Sequence, residues 1–186
     1  MRILHIITSP FYIDNKPRYL QLVKYASENS TKVDLVTYPI GRDVKIKNLN
    51  IHRAPCPFYQ KESPGPSLLK ILVDIMVFLC AMSRVITKEY DIVQGEDIEA
   101  GFIAIIIGKL FGIKSIYSMI NPLKETFIPY DTPEFLNPLF RIIQNVLNSL
   151  ADAILTNWKH DKVNLDRKYL HKKIIHEPEY TKLIED

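Results

Sequence analysis

YDIVQGEDIEAGFIAIIIGKLFGIKSIYSMINPLK, residues 90–124, decides the fold. It reads as a short apolar strand at 91–93, a polar turn at 94–97, a helix to about Phe111, and a second strand at 114–119. A proline-containing loop follows. Strand, helix and strand with short connections make one βαβ crossover in a buried parallel sheet. Ligands of open parallel sheets gather at the carboxyl ends of the strands. The spacing therefore turns Gln94-Gly95-Glu96-Asp97 and Ile120-Asn121-Pro122-Leu123-Lys124 toward one crevice.

The rest of the chain extends the same alternation. Residues 2–7 are nearly all apolar, as a central parallel strand requires. A loop through Pro10 and Asp14-Asn15-Lys16-Pro17 leads to a helix over about 18–28, whose apolar stripe includes Tyr19, Leu20, Leu22, Val23 and Ala26. Asp14 or Asn15 suits its N-cap, and Pro17 its first turn. Strands follow at 32–38 and 49–54. In the latter, Asn50 and His52 alternate with Leu49 and Ile51, which predicts an edge position. After a turn-rich loop at 56–66, Ser67 caps a long apolar helix to about Thr87. Beyond residue 124 come a break at 129–133, a helix over 134–150, a strand at 151–156, a helix over 159–169 and a strand at 173–176. The pattern is an α/β, doubly wound parallel sheet with helices on both faces.

A chain of 186 residues is long enough for one well-buried domain and short for two. The net charge of +3, with no long Lys/Arg run, argues against a nucleic-acid partner. Cys56 and Cys80 lie far apart with no ligand spacing to a histidine, so unpaired thiols in a reducing cytoplasm are expected and a metal site is not. The opening MRILHIITSP lacks the cleavage pattern of a signal peptide. The most apolar segment, 68–86, carries Lys70, Asp74 and Arg84, which counts against a membrane span. Core packing accounts best for residues 68–82 and for the apolar face around Phe135 and Phe140. The alternative is that either surface, with Phe58 and Tyr59 near the first, rests on a bilayer as a peripheral contact.

The first strand is followed by Thr8-Ser9-Pro10-Phe11-Tyr12, with neither a dinucleotide fingerprint nor a Walker loop. Candidate site residues are accordingly sought at the other strand ends. Asp97 suits an N-cap whose carboxylate accepts first-turn N–H groups. Glu96, one residue earlier, either sits in the dipole field of the same helix or contacts ligand hydroxyls. Asn121, Lys124 and Glu125 either belong to a proline-stiffened turn or reach into the crevice, where Lys124 would meet an anionic group such as a phosphate. Lys16 and Arg18, at the mouth of the first helix, are placed to do the same or to stay solvated. Gly112 reads as a helix C-cap, and Gly101 and Gly108 as positions where the helix closes on the sheet.

In the opening MRILHI, in PRYLQLVKYAS, in DIVQGEDIEAGFIAIIIGKLFGIKSIYSMINP and in ADAILTN followed by KIIHEP, the chain resembles the N-terminal domain of GT-B glycosyltransferases, specifically glycosyltransferase family 4 (group 1). The likeness covers nearly the whole chain. It implies that residues 1–186 form a single Rossmann-like acceptor domain, one half of a GT-B architecture, cut at the domain boundary. The donor-binding C-terminal domain would lie outside this chain. The function so implied is acceptor binding in a nucleotide-sugar-dependent hexosyl transfer, with no metal, in polysaccharide or glycolipid synthesis of the cell envelope. This domain alone would be inactive. Its partners would be a sugar or lipid-linked acceptor and a donor-binding domain or subunit, in the cytoplasm or at the inner face of the membrane. Asn15, Arg18, Glu96, Asp97, Asn121 and Lys124 would supply the acceptor contacts.

The chain departs from that family at three places. Ile13-Asp14-Asn15-Lys16-Pro17 stands where a Gly-Gly pair is common. Gln94-Gly95-Glu96 replaces a His-rich turn, and Ile120 occupies the position of a histidine thought to help catalysis. Ile120 and the missing Gly-Gly pair favour a second reading, a non-catalytic standalone domain acting as partner subunit of a split transferase. A flavodoxin-like binding module is a third.

Overall fold

The computed structural model describes residues 1–11, 17–61, 67–119, 135, 137–156 and 173–176. Seven strands form one sheet: β1 (Arg2–Ile7), β2 (Lys32–Thr37), β3 (Leu49–Arg53), β4 (Ile92–Glu96), β5 (Lys114–Met119), β6 (Ala153–Thr156) and β7 (Lys173–His176). Their order is β3-β2-β1-β4-β5-β6-β7, and every neighbouring pair is parallel. β1 lies in the interior with Ile3 to Ile7 buried, whereas β3 forms an edge and is only half-buried throughout. Both placements agree with their apolar and alternating patterns.

Helices cover both faces. α2 (Leu68–Thr87) and α3 (Asp97–Phe111) pack Val73, Val77, Ala81, Ile103, Ala104 and Ile107 against Leu4, Ile6, Val36 and Val93 of the sheet. α4 (Asn137–Leu150) extends that layer, with Leu147 against Ile105, Tyr117 and Ile154. On the opposite face α1 (Pro17–Asn29) lays Tyr19 and Val23 on Ile7 and Leu35, and Ala26 on Ile3 and Val33. Each fully buried aliphatic side chain contributes about 1.5–3 kcal/mol of hydrophobic free energy. These clusters hold the sheet from either side.

Local signals explain most element ends. Ser67 Oγ accepts the Lys70 N–H at 3.2 Å and starts α2. Gly112, at φ 69°, ends α3 in the left-handed conformation that glycine adopts without strain. A Cβ at Gly101 would stand 2.5 Å from the Tyr117 ring, and one at Gly108 would stand 2.8 Å from the Ile113 carbonyl. Both glycines therefore let α3 press on β5. Asp152 bolts β6 to the same unit. Its carboxylate accepts the Ser115 N–H and hydroxyl at 2.8 Å each, with Lys109 at 3.3 Å. Burial opposes its charge, but these bonds outweigh burial and hold the carboxyl below the usual range.

Two expectations are corrected. The strand expected at 91–93 runs to Glu96, so Gln94, Gly95 and Glu96 are buried ladder residues rather than a polar turn. They stay in the sheet because their polar groups pair with one another and with β1. The segment 68–82, expected to be core, is core along one side only. α2 buries Val73, Val77, Ala81 and Val85, while Leu68, Ile71, Leu72, Ile75 and Leu79 are exposed. Cys56 and Cys80 are free thiols, as expected. The helix expected over 159–169 lies outside the described residues.

Candidate functional site at the carboxyl edge

The chain leaves β1 toward β2 and β3, then returns to β4 on the other side of β1. This reversal places the topological switch point, and hence the crevice, at the carboxyl ends of β1 and β4. The residues just beyond β1 are pinned from the β2 side. Thr37 Oγ1 donates to the Ser9 carbonyl at 2.7 Å, and Phe11 bridges to Gly41. Gly41 has φ 129°, and a Cβ there would stand 1.9 Å from the Phe11 carbonyl oxygen. Only glycine permits that closure.

Beyond β4 there is no loop. Glu96 is the last strand residue and Asp97 the first of α3, and the chain turns on Asp97 at φ 66°. A positive φ on a non-glycine residue costs about 1–2 kcal/mol and is retained where surrounding structure enforces it. Gly95 makes the turn possible, since a Cβ on it would stand 2.1 Å from the Ala100 carbonyl oxygen. The expected N-cap role of Asp97 is thereby corrected. Glu96 occupies the cap position with no side-chain cap bond, and Asp97 lies within the helix.

The two carboxylates part in direction. Asp97 is half-buried and accepts a hydrogen bond from the Tyr19 hydroxyl, in the first turn of α1. Glu96 is fully buried. His5 Nε2 lies 2.8 Å from its Oε1, and Gln94 Nε2 donates to the same oxygen at 2.8 Å. By register Ser118 of β5 lies beside Glu96 and is also fully buried. A polar seam thus crosses β1, β4 and β5 beneath the crevice. Of the other residues expected here, Arg18 belongs to the first turn of α1, and Asn15, Asn121 and Lys124 lie outside the described residues.

Tyr19 was hidden from sequence reasoning inside the apolar stripe of α1. A second grouping also escaped it. Tyr38, just beyond β2, donates its hydroxyl to Asp74 Oδ1 of α2 at 2.6 Å and packs edge-on to Tyr59 with ring centres 5.3 Å apart. Burial pushes the Asp74 carboxyl up to about 6, and the nearby Glu99 charge adds to the rise against the Tyr38 bond and Lys70. Burial and the same bond push the Tyr38 phenol upward.

A concavity of about 950 Å³ lies at the opposite edge, lined by Arg2, Lys32, Lys88, Tyr90, Asp91 and Ile113 among others. It sits where connections enter the strands, beside the buried Asp34 carboxylate. That carboxylate binds Asn50 at 3.0 Å, His52 at 2.9 Å, Tyr90 at 2.9 Å and Lys88 at 3.5 Å. Burial opposes the Asp34 charge, yet these partners hold its carboxyl well below the usual range. A carboxylate so fully engaged ties strands together. The carboxyl edge, at the switch point, is the stronger candidate. No group of three or more metal-ligating side chains occurs among the described residues.

Neither family models nor curated proteins match the chain. Solved structures do. Sucrose-phosphate synthase from Thermosynechococcus elongatus superposes with a TM-score of 0.68 at 9% identity, covering 94% of this chain and 47% of that one. Anabaena HepE in complex with UDP and glucose gives 0.54 at 15% identity, covering 95% and 44%. UDP-N-acetylglucosamine 2-epimerase from Rickettsia bellii gives 0.57 at 10% identity, covering 97% and 46%. The chain has the Rossmann-like α/β fold of a GT-B domain. The chain spans a little under half the length of these three structures.

Proposed function

We propose that this chain is the acceptor-binding domain of a nucleotide-sugar-dependent glycosyltransferase of the family 4 type, serving polysaccharide or glycolipid synthesis in the cell envelope. The observation that carries the reading is the Tyr19–Asp97 pair at the β1/β4 switch point, held by a left-handed backbone turn. A carboxylate at a crevice mouth accepts hydrogen bonds from sugar hydroxyls, and the Tyr19 hydroxyl fixes its orientation. Glu96, locked to His5 and Gln94, acts from beneath as a positioning residue for the turn that presents Asp97. Asn15, Arg18, Asn121 and Lys124 complete the acceptor contacts in this reading. The donor nucleotide sugar is held by a second Rossmann-like domain, and transfer takes place between the two.

Titration calorimetry of the chain against oligosaccharides, lipid-linked sugars and nucleotide sugars tests the proposal. The expected result is glycan binding that Asp97→Asn weakens by about tenfold or more, with nucleotide-sugar affinity no tighter than about 1 mM. A nucleotide sugar bound by this chain alone with a Kd below about 10 μM overturns the division of labour. Glycan affinity unchanged by Asp97→Asn removes the site.

A further inference from the structure

α2 has two apolar sides. Val73, Val77, Ala81 and Val85 face the sheet, four residues apart. On the other side Leu68, Leu72, Ile75, Leu79, Met82 and Ile86 recur at intervals of four and three, the spacing of a helix–helix seam. Five of these six are more than two-fifths exposed, from 46% at Leu72 to 86% at Leu68. The flanking positions are largely apolar too, with Leu69 and Ile71 exposed beside the seam. A helix that is apolar nearly all round is normally covered on both sides. α3 packs between α2 and α4 and continues the surface with Ile106 and Leu110, and α4 with Leu139 and Ile142.

We infer that this outer face of α2, α3 and α4 is a docking surface for a second copy of the chain, paired face to face about a two-fold axis, with the α2 seam as its most exposed apolar strip. Area is the first argument. The exposed apolar side chains on the three helices present on the order of 1,000 Å², above the ~300–600 Å² of the largest patch on a monomer and enough for the ~800 Å² per partner of a standard interface.

Charge is the second. The seam carries no charged residue, so two identical faces meet without like-charge repulsion. A lipid surface is less well matched. The three helices hold Lys70, Arg84, Lys109 and Arg141 against Asp74, Asp97 and Glu99, a net charge of only +1, four minus three. The side of α2 opposite the seam is packed on the sheet rather than basic, as an interfacial helix requires.

Sedimentation velocity under reducing conditions at about 50 μM chain tests the inference. The expected species has twice the 21.6 kDa chain mass. Ile75→Glu with Leu79→Glu should convert it to monomer with unchanged far-ultraviolet circular dichroism. Should that pair disturb folding, Leu68→Glu with Ile86→Glu, at positions 86% and 68% exposed, should raise the dimer Kd by about tenfold or more. A monomeric wild-type chain overturns the proposal, whether or not it floats with phosphatidylglycerol-containing vesicles. A dimer that survives both pairs of substitutions overturns it as well.

Discussion

Tyr19 and Asp97, 78 residues apart in the chain, are joined by one hydrogen bond that ties the first turn of α1 to the first residue of α3. The bond spans the boundary between β1 and β4 at their carboxyl ends. It closes the two helices over the only place where the sheet order reverses among the described strands. Tyr19→Phe removes the hydroxyl and leaves the ring packed on Ile7 and Leu35. The expected cost is about 0.5–1.5 kcal/mol, read as a shift of the urea midpoint with an unchanged slope. A neutral result would mean that the bond does not hold the crevice closed.

The glycines differ in what they allow. At Gly95 a Cβ meets the Ala100 carbonyl, which belongs to the helix backbone and cannot move aside, so Gly95→Ala is expected to cost more than about 3 kcal/mol or to prevent folding. At Gly112 nothing stands within 4 Å of the added atom, and only the left-handed backbone opposes it. Gly112→Ala should therefore cost about 1–2 kcal/mol. Chemical denaturation of the two variants side by side checks the order.

Asp74 gives a pH signature above the ordinary carboxylate range. Its folded-state pKa, about 6, exceeds the 3.8 of a free aspartate, so the folded chain keeps a proton there that the unfolded chain has lost. Stability contributed by the neutral form is complete below about pH 4 and is lost as pH rises toward 6. Asp74→Asn keeps an acceptor for Tyr38 and removes the titration. Relative to wild type it should gain stability between pH 4 and 6.5 and hold that gain above, in urea melts taken across this range.

Asp34 acts in the opposite direction and in a lower window. Its folded-state pKa is depressed, so its contribution is complete above about pH 4 and falls away as acid protonates it. Asp34→Asn leaves Lys88 and His52 without their anion and should cost about 2–4 kcal/mol at pH 7. The gap between wild type and variant should narrow at pH 3. A gap independent of pH would assign Asp34 a packing role rather than an ionic one.

Much of the architecture was readable because the buried strands are continuous apolar runs and the caps follow ordinary chemistry. Ser67 and Gly112 stand where their side chain and backbone freedom are needed. The end of β4 was not readable. Gln94 and Glu96 look like turn residues until His5, 91 positions from Glu96, supplies the partner that lets them be buried. Asp97 looks like a cap because its type is common there; its positive φ depends on how Gly95 meets Ala100. The seam of α2 was read as core because helical periodicity reports two apolar sides without saying which is covered. Tyr19 counted as apolar by its ring, and only the fold brings its hydroxyl to a carboxylate. Among the residues proposed for the site, Glu96 and Asp97 were picked by position alone, and both lie at the carboxyl end of β4.

The absence of any connecting residue between β4 and α3 has a consequence for how this segment can vary. One residue inserted between Gly95 and Asp97 would rotate α3 by about 100° about its axis. Ile103, Ala104 and Ile107 would swing off the sheet, Gly101 would leave the Tyr117 ring, and Ile106 would turn away from the outer face. The length of this junction cannot drift, and its Gly95 cannot gain a side chain without meeting the Ala100 carbonyl. Insertions and deletions that retune the crevice must fall in other connections, which leaves Asp97 at a constant position while the surroundings it addresses change.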